Sequence, residues 1–314
     1  MKIGCSQKFI AHNGPNLFMS RLLHELKTEF GCDLVPAKEP CDIHLCSIQG
    51  KRKTGSANVV RIDGVYYDKA RLKSNNPIRN TINSFDGVVF QSHWSKKMAL
   101  NLLSAKPKND VVIHNGIDQS IYNKNHKSND KEGFDKIFIS CAQWRPNKRP
   151  VAIQKAFIKA NDASDLNLGL FMVGSNDKKI QHPNIKHFNQ VSPKKLIDLY
   201  AKSDYMIHIC HIDSCSNSVV EGLSFGLPVL CNNIGGTPEI VRESGLIASI
   251  DKKIDFPFRP IKDMKSVGSK SVDINILCDY ILKMTKENWD IDRPDLDIMV
   301  AAKKYYDFFE KILS

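Results

Sequence analysis

The chain has 314 residues, 42% hydrophobic and 25% charged, a length that suits two domains and a composition that excludes a disordered polypeptide. No stretch approaches the ~20 consecutive apolar residues that span a bilayer, and nine scattered cysteines without a Cys-x-x-Cys pair exclude a disulfide framework or zinc ribbon and predict reduced thiols in a cytoplasmic setting. A formal charge of +11, from 45 basic and 34 acidic residues, favours anionic partners, but no basic block, zinc-finger spacing or aromatic signature points to nucleic acid; lysines so evenly spread serve solubility equally well.

In chain order, "MKIGCS" lacks a small-residue cleavage site and reads as a first strand rather than a signal peptide. Leu17, Leu22, Leu26 and Phe30 then recur at helical spacing, with Pro15 fit for the first turn and Gly31 for the stop. "DIHLCSI", "NVVRIDG", "GVVFQS" and "DVVIHNG" read as further strands, and "HWSKKMALNLL" as the helix between the last two. Residues 123–135, "NKNHKSNDKEGFD", are polar and aperiodic and read as a linker. The alternation then restarts. Strands are predicted at "KIFISCAQ", "LNLGLFMVGS", "YMIHICHI" and "LPVLCNN". Helices are predicted at "RPVAIQKAFIKAN", "SPKKLIDLYAKS", "SNSVVEGLSFG", "GGTPEIVRES" and "DINILCDYILKMTKEN". Residues 251–272 have no period and read as loop. Ile298, Ala301, Tyr305, Phe308 and Ile312 form the stripe of a terminal amphipathic helix.

This pattern predicts an α/β protein of two Rossmann-like, doubly wound parallel domains facing a cleft. The boundaries are 1–122 for the first domain, 123–135 for the linker, 136–290 for the second domain, and 291–314 for a terminal helix. Ligands in such sheets gather beyond the carboxyl ends of strands.

Three loops lie after a predicted strand and before a predicted helix: "AHNGPN", "AQWRPNKRP" and "IDSCSN". A helix N-terminus carries roughly half a positive charge and unpaired N–H donors, so phosphates bind there. Arg145 and Lys148 add permanent charge, and a diphosphate suits the arrangement best. Surface cations flanking a turn would look the same. Asp213 follows a strand and Glu221 lies a turn into the next helix; such carboxylates match sugar hydroxyls or serve acid/base chemistry. A helix cap and a solvated helix residue are the plainer alternatives.

Residues 213–241, "DSCSNSVVEGLSFGLPVLCNNIGGTPEIV", resemble the donor-site signature of family 4 retaining glycosyltransferases, which have the two-domain GT-B fold. The family pattern is Glu-x7-Glu, a Gly-x-Pro-Val strand and Gly-Gly-x-Pro-Glu; Asp213, Glu221, "GLPVL" and "GGTPEIV" fill those places. "HNGPNLF" resembles the first glycine loop, "VVFQSHWSKKMA" and "VVIHNGID" the end of the acceptor domain, and "CAQWRPNKRP" the Arg/Lys phosphate loop. The resemblance covers most of the chain.

The resemblance implies a retaining transfer of sugar from a nucleotide-diphosphate sugar to a glycan, lipid or small-molecule acceptor, with no cofactor and no metal. Glu221 would bind the ribose and Asp213 the donor sugar, while Arg145 and Lys148 would neutralise the departing diphosphate. Asn217 and Ser218 would offer helix-start amides, Asn13 and Gly14 would approach from the first domain, and the backbone at Gln190 and Val191 would meet the base. Two departures stand out. Asp213 replaces a glutamate and reaches about 1.5 Å less, which implies altered sugar preference. The histidine many relatives carry after the strand that here reads "VVRIDG" has no counterpart; Asp63 stands nearest, as a substrate contact or a turn cap, and His44 reads as structural. A catalytically silent nucleotide-sugar-binding protein, or a 2-epimerase or phosphorylase on the same fold, stays open as an alternative. The basic surface leaves peripheral membrane contact open.

Overall fold

A computed structural model of the protein describes residues 1–5, 14–251 and 259–314. Its described residues divide into two compact units, one of 1–118 with 259–262 and 295–314, the other of 119–251 and 263–294. No helix among the described residues is long and apolar enough to cross a membrane.

The first unit contains β1 (Lys2–Cys5), α1 (Gly14–Thr28), β2 (Asp33–Pro36), β3 (Ile43–Ser47), β4 (Ala57–Ile62), α2 (Asn76–Ser84), β5 (Gly87–Phe90), α3 (His93–Leu103) and β6 (Asp110–Val112). Its six parallel strands run β2-β1-β3-β4-β5-β6. Helix ends follow local chemistry. Ser92 and Ser95 close a reciprocal capping box on α3, and Ser104 ends the helix in the left-handed conformation.

The second unit contains β7 (Lys136–Cys141), α4 (Pro150–Asp162), β8 (Leu168–Val173), β9 (Ile185–Phe188), α5 (Pro193–Lys202), β10 (Tyr205–His208), α6 (Asn217–Ser224), β11 (Val229–Asn232), α7 (Thr237–Val241), β12 (Gly245–Ala248) and α8 (Ile274–Lys286). Its six strands are also parallel, ordered β12-β11-β10-β7-β8-β9. Counted within the unit, that is the 3-2-1-4-5-6 order of a dinucleotide-binding sheet, whose direction of winding reverses between β7 and β10. Phe138, Leu170 and Ile207 pack with α4 and α8 residues in one apolar cluster. The alternate positions Ile137 and Ile139 are equally buried and point to the opposite face.

The last helix, α9 (Ile298–Leu313), belongs to the first unit. Ala301, Tyr305, Phe308 and Phe309 join Phe18, Leu22 and Leu26 of α1 in one core. Gly87 and Gly116 have no side chain because Phe308 and the Asp297–Ile298 backbone occupy that space.

Four elements carry no sequence signal in the reading above: α2, β2, β9 and β12. The predicted strand "YMIHICHI" also stops early, at His208. Beyond it the chain leaves the sheet and Ile212 adopts φ 62°, a conformation a β-branched residue takes only under constraint. Residues 123–135, read as a linker, are bonded into the second unit: Lys127 Nζ donates to Ser203 O at 2.7 Å, and Lys131 Nζ to Asp204 Oδ1 at 2.9 Å.

Candidate functional site

The winding reversal in the second sheet forces the connections after β7 and β10 apart and leaves a crevice at their carboxyl ends. Two loops border it, and cross-links hold them in register. Asn147 O accepts from the His211 amide at 2.8 Å, and Asn147 Nδ2 lies 3.5 Å from Cys210 Sγ. A third loop, after β11, joins through Gly236, whose amide donates to Asp213 O at 2.7 Å. Gly235 has φ 93°, and a Cβ there would stand 2.8 Å from Asp213 O. A glycine at 235 therefore lets the β11 loop lie flat against the Asp213 backbone.

These loops bring Lys148 and Asp213 into direct contact, with Nζ 2.5 Å from Oδ2. His208 Nε2 stands 3.2 Å from the same oxygen. His208 is buried, and the two charged side chains are about one-fifth exposed, at 22% and 19%. Burial alone would push the Asp213 carboxyl up; the Lys148 charge and then His208 overcome it and hold it well below the usual carboxylate range. Burial likewise draws Lys148 down, and Asp213 more than restores it. Burial holds the His208 imidazole below its ordinary value despite the neighbouring carboxylate. At neutral pH the group is thus ammonium, carboxylate and neutral imidazole.

Glu221 lies within α6 and is buried. Tyr200 Oη of α5 donates to its Oε2 at 3.1 Å, and burial keeps that phenol protonated far above its usual range. The Tyr200 ring stacks on Phe225 at 5.4 Å, so the donor is locked in place. Arg145 is exposed and donates to Gln143 Oε1 at 2.8 Å. Asn217 opens α6, and the Ser218 hydroxyl lies 2.9 Å from that of Ser216. Gln190 is exposed and Val191 half-buried on the β9–α5 connection. Asp63, in the first unit, accepts from Ser47 Oγ at 3.2 Å and pairs with fully buried Arg61. Gly14 is the first residue of α1, and Asn13 lies outside the described residues.

Three residues of this region carried no role in the sequence reading. His208 and His211 lay hidden in a run read as strand, although two imidazoles just before an acid are a polar signal in an apolar stretch. Arg149 looked like one more loop cation, yet it is fully buried. It pairs with Asp251, donates to Val267 O at 3.0 Å and Ser271 Oγ at 3.2 Å, and lies 3.4 Å from His211 Nδ1. It thereby ties Asp251, Val267 and Ser271 to the start of α4.

Burial, and then the Arg149 charge, hold the His211 imidazole down at about 3. Its ordinary value is about 6.5, so the fold favours the uncharged ring. That stability is fully present above pH ~6.5 and is lost as pH falls toward 3, by up to about 1.4 kcal/mol per pH unit. A His211→Gln variant is expected to lose melting temperature less steeply over this window than the unaltered protein. Parallel slopes in thermal unfolding at stepped pH would refute the assignment.

Residues 122–252 match the family described as Glycosyl transferases group 1. Over 182 aligned residues the chain is 25% identical to N-acetyl-alpha-D-glucosaminyl L-malate synthase of Bacillus anthracis, an alignment covering 54% of this chain and 47% of the relative. The chain thus spans about half the length of that relative. Among solved structures, a glycosyltransferase from Rickettsia africae superposes with a TM-score of 0.62 at 15% identity, over 100% of this chain and 98% of that one. Sucrose-phosphate synthase from Thermosynechococcus elongatus gives 0.66 at 12% identity, over 99% and 96%. An Anabaena protein, HepE, solved with UDP and glucose, gives 0.61 at 11% identity, over 98% and 99%. Both units thus have the α/β folds of these GT-B neighbours. The matched residues 122–252 contain all three converging loops, so the likeness to the glycosyl transferases group 1 family falls on the site itself.

Proposed function

We propose that the protein is a retaining glycosyltransferase that moves a hexosyl or related sugar from a nucleotide-diphosphate sugar to an acceptor. The observation that carries this reading is the Lys148–Asp213 pair, set at the winding reversal of a dinucleotide-type sheet and pinned by the Gly235–Gly236 loop. Lys148 supplies the charge that a departing diphosphate needs, a stabilisation that grows as the glycosidic bond breaks. With a fixed ammonium in that place, the transfer requires no metal. Asp213 has Oδ2 committed to Lys148 and His208 and receives the hydroxyls of the donor sugar. Glu221, oriented by Tyr200, accepts the ribose hydroxyls, and Arg145 adds an exposed cation at the rim.

The UDP carried by the Anabaena neighbour puts uridine donors first in the test. A ligand that binds only the native state raises its melting temperature; at 100 times its dissociation constant the gain is about 2.7 kcal/mol, or roughly 5–10 °C for a unit of this size. We expect one nucleoside diphosphate and its sugars to give such a shift, and the sugar form to release diphosphate in the presence of EDTA and acceptor. A panel of uridine, guanosine, adenosine and thymidine donors that moves neither readout would end this reading. A shift without sugar release would mark a silent binding protein instead.

A further inference from the structure

His208, Cys210 and Asp213 offer an imidazole nitrogen, a thiol sulfur and a carboxylate oxygen, all within 4.8 Å of one another. In a tetrahedral zinc site, with Zn–N of about 2.0–2.1 Å and Zn–S of about 2.3 Å, neighbouring ligand atoms stand roughly 3.3–3.8 Å apart. The Nε2–Oδ2 separation of 3.2 Å already falls close to that spacing, and a rotation of the Cys210 or Asp213 side chain closes the remainder. A mixed N, S, O set suits borderline-soft Zn²⁺ and not Mg²⁺ or Ca²⁺, which take oxygen ligands. The thiol has a supporting contact of the kind that tunes such sites, the Asn147 amide nitrogen at 3.5 Å. A cation already stands at this position: the Lys148 ammonium, 2.5 Å from Asp213 Oδ2 on a side chain 22% exposed. Its flexible four-carbon stem can swing outward.

We propose that His208, Cys210 and Asp213 form a Zn²⁺ site that excludes Lys148 from its ion pair, so that metal and ammonium compete for one carboxylate. On binding, the Cys210 thiol gives its proton to solvent, a zinc–sulfur bond forms, and water fills the fourth position. The site rests on these three side chains alone and holds whether or not the chain transfers sugar.

The test uses the whole protein, kept reduced by a phosphine, with Co²⁺ as the spectroscopic probe and Zn²⁺ followed by calorimetry. One equivalent of Co²⁺ is expected to give tetrahedral d–d bands and a thiolate-to-cobalt charge-transfer band, both erased by Zn²⁺. Cys210→Ser should lose the charge-transfer band and weaken Zn²⁺ binding by at least about tenfold. Cys278→Ser, in α8 of the same unit, should change neither, and Lys148→Met should bind Zn²⁺ more tightly than the unaltered protein. His208→Gln provides a second ligand deletion if Cys210→Ser fails to give a cooperative melt. A spectrum without the thiolate band, or ligand-deletion variants that hold Zn²⁺ within about twofold of the unaltered protein, overturns the proposal in favour of an adventitious ion only.

Discussion

Lys148→Ala is expected to lower kcat/KM for the donor by about 10²- to 10³-fold, the range seen when one preorganised charge-stabilising group is removed. The physical reason is specific to this geometry. On the proposed reaction, Lys148, held 2.5 Å from Asp213, would present its positive charge without reorganisation as the leaving group develops negative charge. Removal has a second effect, because it leaves a mostly buried carboxylate with only His208 beside it. Burial then pushes the Asp213 carboxyl upward, and the variant should lose about 1–3 kcal/mol of stability. Lys148→Ala combined with Asp213→Asn isolates the stability effect: with the uncompensated carboxylate removed, melting temperature recovers. Steady-state kinetics over a donor series and a melting curve for each variant decide the matter. A single variant with unaltered kcat/KM and a cooperative melt would remove Lys148 from the reaction.

Arg149→Met is expected to destabilise the second unit by about 3–5 kcal/mol, the cost of leaving one partner of a buried ion pair behind. Asp251, its side chain 4% exposed, would be left buried with no cation against it. For a unit of this size the midpoint should fall by roughly 6–20 °C. Arg149→Met with Asp251→Leu should restore more than half of that loss, since replacing both partners by apolar groups removes the uncompensated charge. The measurement is thermal unfolding of the single and double variants. Equal midpoints for Arg149→Met and the unaltered protein would show that the pair contributes no net stability.

These two basic residues are adjacent in "RPNKRP", yet one bonds a carboxylate near the surface and the other lies wholly inside. Nothing in the local sequence distinguishes them, because the difference comes from partners 65 and 102 positions away. Periodicity reports only neighbours along the chain. It therefore found the long helices and the strands with continuous apolar runs, such as "LGLFMV" and "GVVF", whose residues are all buried. It passed over β2, β9 and β12, each of four residues and each at the edge of a sheet. An edge strand buries fewer side chains, so its composition approaches that of a loop. Helix α2 was missed for a related reason: only Ile78, Thr81 and Ile82 of its nine residues are buried, too few to make a stripe.

The site was legible to the same depth. Asp213, Glu221 and Lys148 stood out by spacing and by resemblance, and the structure places the first and last in contact. His208 did not stand out, because an imidazole inside an apolar run looks like any core histidine until the strand is seen to end at that residue. The Gly-Gly pair stood out as a motif without a cause. Its cause is steric: Gly235 lets a backbone pass where any Cβ would strike Asp213.

Helix α9 gives the molecule a definite order of construction. Tyr305, Phe308 and Phe309 complete the apolar interior begun by Phe18 and Leu22, yet the entire 119–294 portion is synthesised between them. While the ribosome is still working, the second unit can close its own interior, whereas the opening third of the chain must wait with one flank of α1 uncovered. The core around α1 is thus finished only once α9 has been made, and removing that helix would leave Phe18 and Leu22 with a greasy, uncovered flank.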